Sequence, residues 1–359
     1  VIHQQPQTIN EQTTMKSNRI ISPALAAAVL YGGVINARVY QAEGVMPYSA
    51  QLTQHGQVAL ANDTLFQMGN VDIELTQYAV GYRDNANLEA ELNALSPNVQ
   101  TPERFSFRSF DNTEAFLLDS GDNDIREIGG NFNELEDLHS SETETRTLNK
   151  GFAMRVDKDR VKNQPNWQQR YVGHIRTRLL RCDVRRTYAL IDAASVNTAK
   201  TWGATADPDM DIANQILASA NVVGISPNTL VMDDTSWLLR QTSHRAQNTA
   251  GSNASAQLSF DEVRAKLGFA RGFKSSSRYA TAAATKAQFL ASKVYLYTAI
   301  DGAMEDDASN IKTFWSPCEN GERFQVWIAE FPKYYAIIVE HYSKPTLTSS
   351  IGIRKLTIS

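Results

Sequence analysis

The sequence predicts an α+β protein, and three stretches carry that reading. Residues 166–198 hold the longest uninterrupted helical pattern in the chain. Residues 207–300 alternate strand-like and helix-like segments, as a mixed α/β domain does. Residues 322–342, ERFQVWIAEFPKYYAIIVEHY, carry two further strands broken near Pro332.

Composition bounds the function. A chain of 359 residues implies about two to three domains and at least one sizeable core. With 42% hydrophobic and 21% charged residues it reads as an ordinary soluble globular protein. The net charge of −4 means that any affinity for nucleic acid must come from a local patch. Cys182 and Cys318 are the only cysteines and make no disulfide framework, which points to a reducing compartment. The six histidines are too scattered for metal-ligand spacing, so no structural zinc is expected.

From the N-terminus, residues 1–18 are polar and lack an apolar period, like a mobile arm. The run KSNRIISPALAAAVLYGG, 16–33, has the charge order of a signal peptide. Fifteen residues precede it, Pro23 interrupts it, and it falls short of a bilayer span, so no export or membrane segment is expected there. The start at Val1 fits a processed N-terminus or a trimmed sequence. Within 58–82, VDIELTQYAVGY alternates as a strand would. Residues 1–113 are therefore read as an N-terminal arm with an inserted subdomain. Glu89–Leu95 reads as a short helix before Pro97, and 103–110, ERFSFRSF, as a half-buried strand whose Phe105, Phe107 and Phe110 need a partner surface.

Residues 114–150 read as an extended loop. Between Asp119 and Glu144, nine acids (Asp119, Asp122, Asp124, Glu127, Glu134, Glu136, Asp137, Glu142, Glu144) face a single Arg126, and Phe132, Leu135 and Leu138 are interleaved among them. So charged a segment cannot bury enough apolar area alone, but it makes sense lying across another surface. Asp119, Asp122 and Asp124 do not match the EF-hand loop, so no metal is assigned to them.

GFAMRVD, 151–157, alternates Phe152, Met154 and Val156 and leads into the long helix. Asn166 is the expected N-cap of that helix. At about 1.5 Å per residue it spans on the order of 50 Å, the length of a strut. Val172, Ile175, Leu179, Cys182, Arg186, Ala189 and Ala193 form its expected apolar seam. Beside the seam, roughly 100° around, run Arg170, His174, Arg178, Arg181 and Arg185, with only Asp183 to oppose them. Arginines in a row bind phosphate oxygens, and they also make an ordinary solvated face.

After the helix, 210–222 reads as a helix with Ile212, Ile216, Leu217 and Val223 inward, 227–233 (PNTLVMD) as a buried strand, and 235–239 as the start of another helix. RAQNTAGSNASAQ reads as a polar flexible loop. LSFDEVRAKLGF carries a capping box, Ser259 with Glu262, and stops at Gly268. KVYLYTAI, 293–300, is a strand. There is no GxSxG elbow, Walker loop, GxGxxG, HExxH or CxxC; Glu340 and His341 adjoin within a strand and so point to opposite faces. An enzyme is not expected, and no cofactor.

The order of these pieces, with the ending VEHYSKP (339–345) and GIRKL (352–356), after PNTLVM (227–232), 258–268 and KVYLYTA, resembles the major capsid proteins of tailed double-stranded DNA bacteriophages. Their fold is shared with encapsulin shells and the herpesvirus capsid floor. The resemblance covers about 114–359. It implies the tailed-phage major capsid fold: an N-terminal arm in 1–113, an extended loop in 114–150, a peripheral domain with the spine helix in 151–206, an axial α/β domain in 207–312, returning peripheral strands in 313–345 and a final axial strand in 346–359. It implies a structural protein that self-assembles with identical subunits into pentamers and hexamers of an icosahedral shell around packaged DNA. Scaffold, portal and decoration proteins would be further partners, with assembly in the host cytoplasm, residence in the virion and no membrane. On this view Arg170, His174, Arg178, Arg181 and Arg185 face the lumen and hold DNA without base recognition, and Asp119, Asp122, Asp124, Glu127, Phe132, Glu134, Leu135, Glu136, Asp137 and Leu138 contact a neighbouring subunit. An encapsulin-like compartment holding protein cargo is the alternative. Some members crosslink a lysine to an asparagine; nothing singles out Lys150 and Asn149 for that, and no crosslink is expected.

Overall fold

The computed structural model describes residues 69–83, 87–110, 125–126, 128–131, 142–282, 284–302 and 307–359, all within one compact unit. In chain order the described elements begin with β1 (Gly69–Val71), α1 (Ile73–Gly81), α2 (Leu88–Leu95), β2 (Asn98–Gln100), β3 (Arg104–Arg108), β4 (Glu142–Arg146), β5 (Leu148–Asp157) and α3 (Lys158–Val161). The spine helix α4 (Trp167–Ala194) follows, then β6 (Val196–Lys200), α5 (Pro208–Val223), β7 (Thr229–Asp233), α6 (Asp234–Ala246), α7 (Ala250–Gln257), α8 (Phe260–Lys266) and β8 (Arg271–Ser275). β9 (Arg278–Ala280), β10 (Lys286–Gln288), β11 (Lys293–Tyr297), β12 (Ile311–Ser316), β13 (Gln325–Glu330), β14 (Tyr334–Leu347) and β15 (Arg354–Ile358) complete the chain.

Two sheets form the body. The first runs β1-β13-β14-β12-β2, with β5 also on β14. The second runs β6-β15-β11-β7-β8; β6 on β15 and β7 on β8 are parallel, and β11 is antiparallel to both its neighbours. Residues 69–110, expected within the N-terminal arm, thus give the first sheet two of its outer strands, β1 and β2, and α1 and α2 pack on the spine helix.

One core joins the layers. Val172, Ile175, Leu179, Leu180, Val184, Tyr188 and Ile191 of α4 pack against Ile337 and Val339 of β14, Leu88, Leu92 and Leu95 of α2, and Val231, Tyr295 and Tyr297 of the second sheet. Each such aliphatic side chain contributes roughly 1.5–3 kcal/mol of burial. A second core, with Ile212, Leu230, Met232, Phe269, Leu296 and Leu356, fills the opposite face of the second sheet under α5, α6 and α8.

Several expectations change in the structure. The seam of α4 holds for Val172, Ile175 and Leu179, whereas Arg186, Ala189 and Ala193 are exposed and Cys182 is half-buried. The buried face turns along the helix because its second half is covered by α2 and the second sheet as well as by β14. Asn166 lies in the left-handed region at φ 54° and makes no side-chain cap; asparagine is among the few residues that tolerate that conformation. The helix ends at Ala194, and Val196–Lys200, expected to begin inside it, pair with β15, so a ladder overrides the helical pattern.

The strand expected across VDIELTQYAVGY is helix α1. Asp72 caps it by accepting from the Leu75 amide at 2.9 Å, and Leu75, Thr76 and Ala79 turn inward at helical spacing. The tract expected as a flexible loop contains α7, closed by a capping box in which Thr249 and Ser252 bond each other's amides. Leu217, expected inward, is exposed. Phe105 and Phe107 find their cover within the chain, with ring centres 4.4 and 5.8 Å from Phe314. The remaining readings hold: the helix before Pro97, the fully buried β7, the Ser259–Glu262 box and the two strands flanking Pro332.

Candidate nucleic-acid interface

The row on α4 survives as a surface. Arg170, His174, Arg178, Arg181 and Arg185 are all exposed, and among the described residues none of the four arginines is within ion-pair reach of a carboxylate. Arg170 donates to Gln164 Oε1 at 2.8 Å and lies over the Tyr171 ring; Arg178 stacks 5.0 Å from the centre of Phe152. Stacking holds the guanidinium planes while leaving their edges to donate. The steps of three and four residues place these side chains on one side of a 28-residue helix, about 42 Å long.

Asp183 does not oppose the row. It is buried beneath α4, where it accepts from Lys150 Nζ at 2.7 Å, Arg186 Nη1 at 2.8 Å and Ser343 Oγ at 3.3 Å, with His341 Nε2 3.2 Å from its other oxygen. Burial alone would raise its carboxyl pKa, but His341 and Lys150 outweigh that and hold it well below the ordinary range. His341 is wholly buried, edge-on to Phe324; burial pushes its pKa down, against the pull of Asp183. Arg176 is likewise internal, donating to Glu89 Oε2 at 2.6 Å and to the Tyr82 carbonyl. The arginines of α4 therefore divide by azimuth: Arg176 ties the helix to the N-terminal segment, while the row faces outward.

Sequence reasoning missed these internal polar groups, and also Glu91, buried and accepting from Tyr188 (2.6 Å), Ser275 (2.7 Å) and Ser277. The one available signal was periodicity, since Arg176 and Asp183 sit seven residues apart in line with Val172 and Leu179. Glu340 and His341 do diverge: Glu340 accepts from Trp327 Nε1 at 2.6 Å while His341 meets Asp183. Lys150 and Asn149 are engaged with Asp183 and Glu340. Of the acidic segment, Asp119, Asp122, Asp124, Glu127, Phe132, Glu134, Leu135, Glu136, Asp137 and Leu138 lie outside the described residues. Cys182 and Cys318 are free thiols, no metal-binding cluster occurs among the described residues, and no described helix is long and apolar enough to cross a membrane.

No protein-family profile matches the chain, and no curated protein sequence does. Solved structures do. A phage-related protein from Bordetella bronchiseptica superposes with a TM-score of 0.58 at 14% identity, over 80% of this chain and 96% of that one. The fold is the one expected from the sequence, that of the tailed-phage capsid proteins. At this identity the likeness is one of fold. Similar structures that superpose less closely include a virus-like particle from Pyrococcus furiosus (TM-score 0.45, 10% identity, 79% of this chain and 95% of that one) and the mature capsid of bacteriophage PhiM1 (0.44, 10%, 78% and 89%). In this chain the long helix packs against both sheets and keeps its basic row exposed.

Proposed function

We propose that this chain is a major capsid protein, whose copies assemble as pentamers and hexamers into an icosahedral shell around packaged double-stranded DNA. The exposed row Arg170, His174, Arg178, Arg181 and Arg185 carries the DNA part of this reading, since four arginines with no carboxylate partner among the described residues suit a phosphate backbone met without regard to base sequence. The fold shared with a phage-related protein supports the shell part. The acidic segment from Asp119 to Leu138 contacts the neighbouring copy on this reading, and scaffold, portal and decoration proteins join during assembly in the host cytoplasm. The role is structural rather than catalytic.

Particles purified from producing cells, imaged by negative stain and treated with nuclease, test the proposal. Closed shells retaining protected duplex DNA are the expected result. Shells filled with protein and free of nucleic acid would point instead to an encapsulin-like compartment, and a lone monomer would refute both.

A further inference from the structure

The basic row does not stop at Arg185. Seven residues further on, two turns and about 10 Å along the axis, Asp192 returns to within roughly 20° of the same azimuth. It meets two lysines from the second sheet: Lys293 Nζ at 2.9 Å and Lys355 Nζ at 3.0 Å both reach Asp192 Oδ1, as does the Tyr295 hydroxyl at 2.6 Å. Lys293 stands two residues before Tyr295 on β11, and Lys355 is the cross-strand partner of Tyr295 on β15, so all three side chains leave the same face of the sheet. The Lys293 side chain is 32% exposed and that of Asp192 37%, so the group opens to solvent; Lys355, at 13%, sits beneath.

One carboxylate between two ammonium groups leaves a net positive charge. The last turn of α4 carries no basic residue of its own, and its free carbonyls favour cations there. The sheet supplies those cations, and with them a sixth and seventh basic position in line with the row.

We infer that Lys293 and Lys355, held by Asp192, extend the phosphate-binding face of α4 onto the second sheet, so that one continuous track from Arg170 to Lys293 follows a duplex backbone. The track rests on the DNA-binding reading of the helix row. From Arg170 to Asp192 it covers about 33 Å, close to one turn of B-form DNA. Two lysines tied to a carboxylate could instead serve only to pin the helix end to the sheet, and the two roles separate by what they do to salt dependence.

The test measures binding of full-length subunits, kept below their assembly concentration, to a fluorescent duplex of arbitrary sequence between 50 and 200 mM salt. Each lost phosphate contact should lower the log–log salt slope by about 0.9. K293Q/K355Q is expected to lower it by roughly 1 to 2, shrinking the affinity change over that range by up to about tenfold. K293R/K355R should restore the slope, and D192N, which keeps both lysines, should preserve or steepen it. R178Q/R181Q is measured alongside. If R178Q/R181Q lowers the slope and K293Q/K355Q leaves it unchanged, the extension is wrong and the helix row stands. If R178Q/R181Q itself has no effect, the DNA-binding reading fails. Should the double lysine variant not fold, K293Q alone carries the same expectation at about half the size, since its side chain is the more exposed.

Discussion

Gly352 shows how one residue can hold an ending in place. Its φ is +80°, and a Cβ there would land inside the Val223 methyl group of α5, while its carbonyl accepts from Ser219 Oγ at 2.6 Å. Left-handed backbone and overpacking add, so Gly352→Ala should cost about 2–4 kcal/mol, read as a lower urea midpoint with an unchanged slope. His341 sets a pH limit. Burial lowers its pKa in the folded state, with Lys150 and Arg323 adding to that and Asp183 opposing it. The unfolded chain therefore binds a proton below about pH 6.5 that the folded chain refuses, and stability falls as pH drops through that value. Stability should therefore fall between pH 7 and 5, and His341→Gln should remove most of that fall. Equal pH slopes for the two proteins in chemical denaturation would defeat this account. Asp192, lowered to about 2 by Tyr295, Lys293 and Lys355 against its own burial, acts in the same direction only in stronger acid, below its ordinary value of 3.8.

At the scale of elements, α5, α6 and α8 are tied through one buried ionic knot. The Arg240 guanidinium, fully buried on α6, donates twice to Asp209 in the first turn of α5, at 2.7 and 2.9 Å, and His244 and Lys266 approach the same carboxylate at 3.5 Å. Asp209→Ala strands that guanidinium without its partner, an expected loss of about 3–5 kcal/mol in equilibrium unfolding; a change under 1 kcal/mol would show that the pair breaks even with its desolvation. No sequence pattern predicts this knot, because the partners of Asp209 lie 31 and more residues away from it and each alone resembles surface charge. What the sequence does reveal are elements stabilised locally: the alternation of β5, the apolar run of β7, and the Ser259–Glu262 box. The misread elements are those decided elsewhere. Val196–Lys200 continues a helical pattern until β15 claims it, and the rotation of the buried face of α4 reflects what covers its second half. The exposed row was legible because it needs only the helix period, and Asp183 was misplaced because its partners come from β5 and β14.

For the molecule as a whole, the spine helix belongs to both sheets at once. It packs on β14, on α2 and on the second sheet, so the two layers share one core along a single strut. On the proposed reading, the basic row with its lysine extension turns toward the lumen of the shell. Apolar residues such as Met210 and Leu217 of α5 and Leu238 of α6 remain exposed on the subunit, as surface destined for contact with further copies would be on the proposed reading.

The strand β14 has a consequence for motion. From Tyr335 to Ser343 it is laddered on both edges, by β5 along one and by β13 and then β12 along the other, and α4 lies over it. Its amides can reach water only when the entire layer opens, so in native-state deuterium labelling the centre of β14 should be the slowest segment to exchange, tracking global unfolding, while the short outer strand β1 exchanges through fraying. Deformation of the subunit would then be taken up at the margins of the layer and leave this central beam untouched.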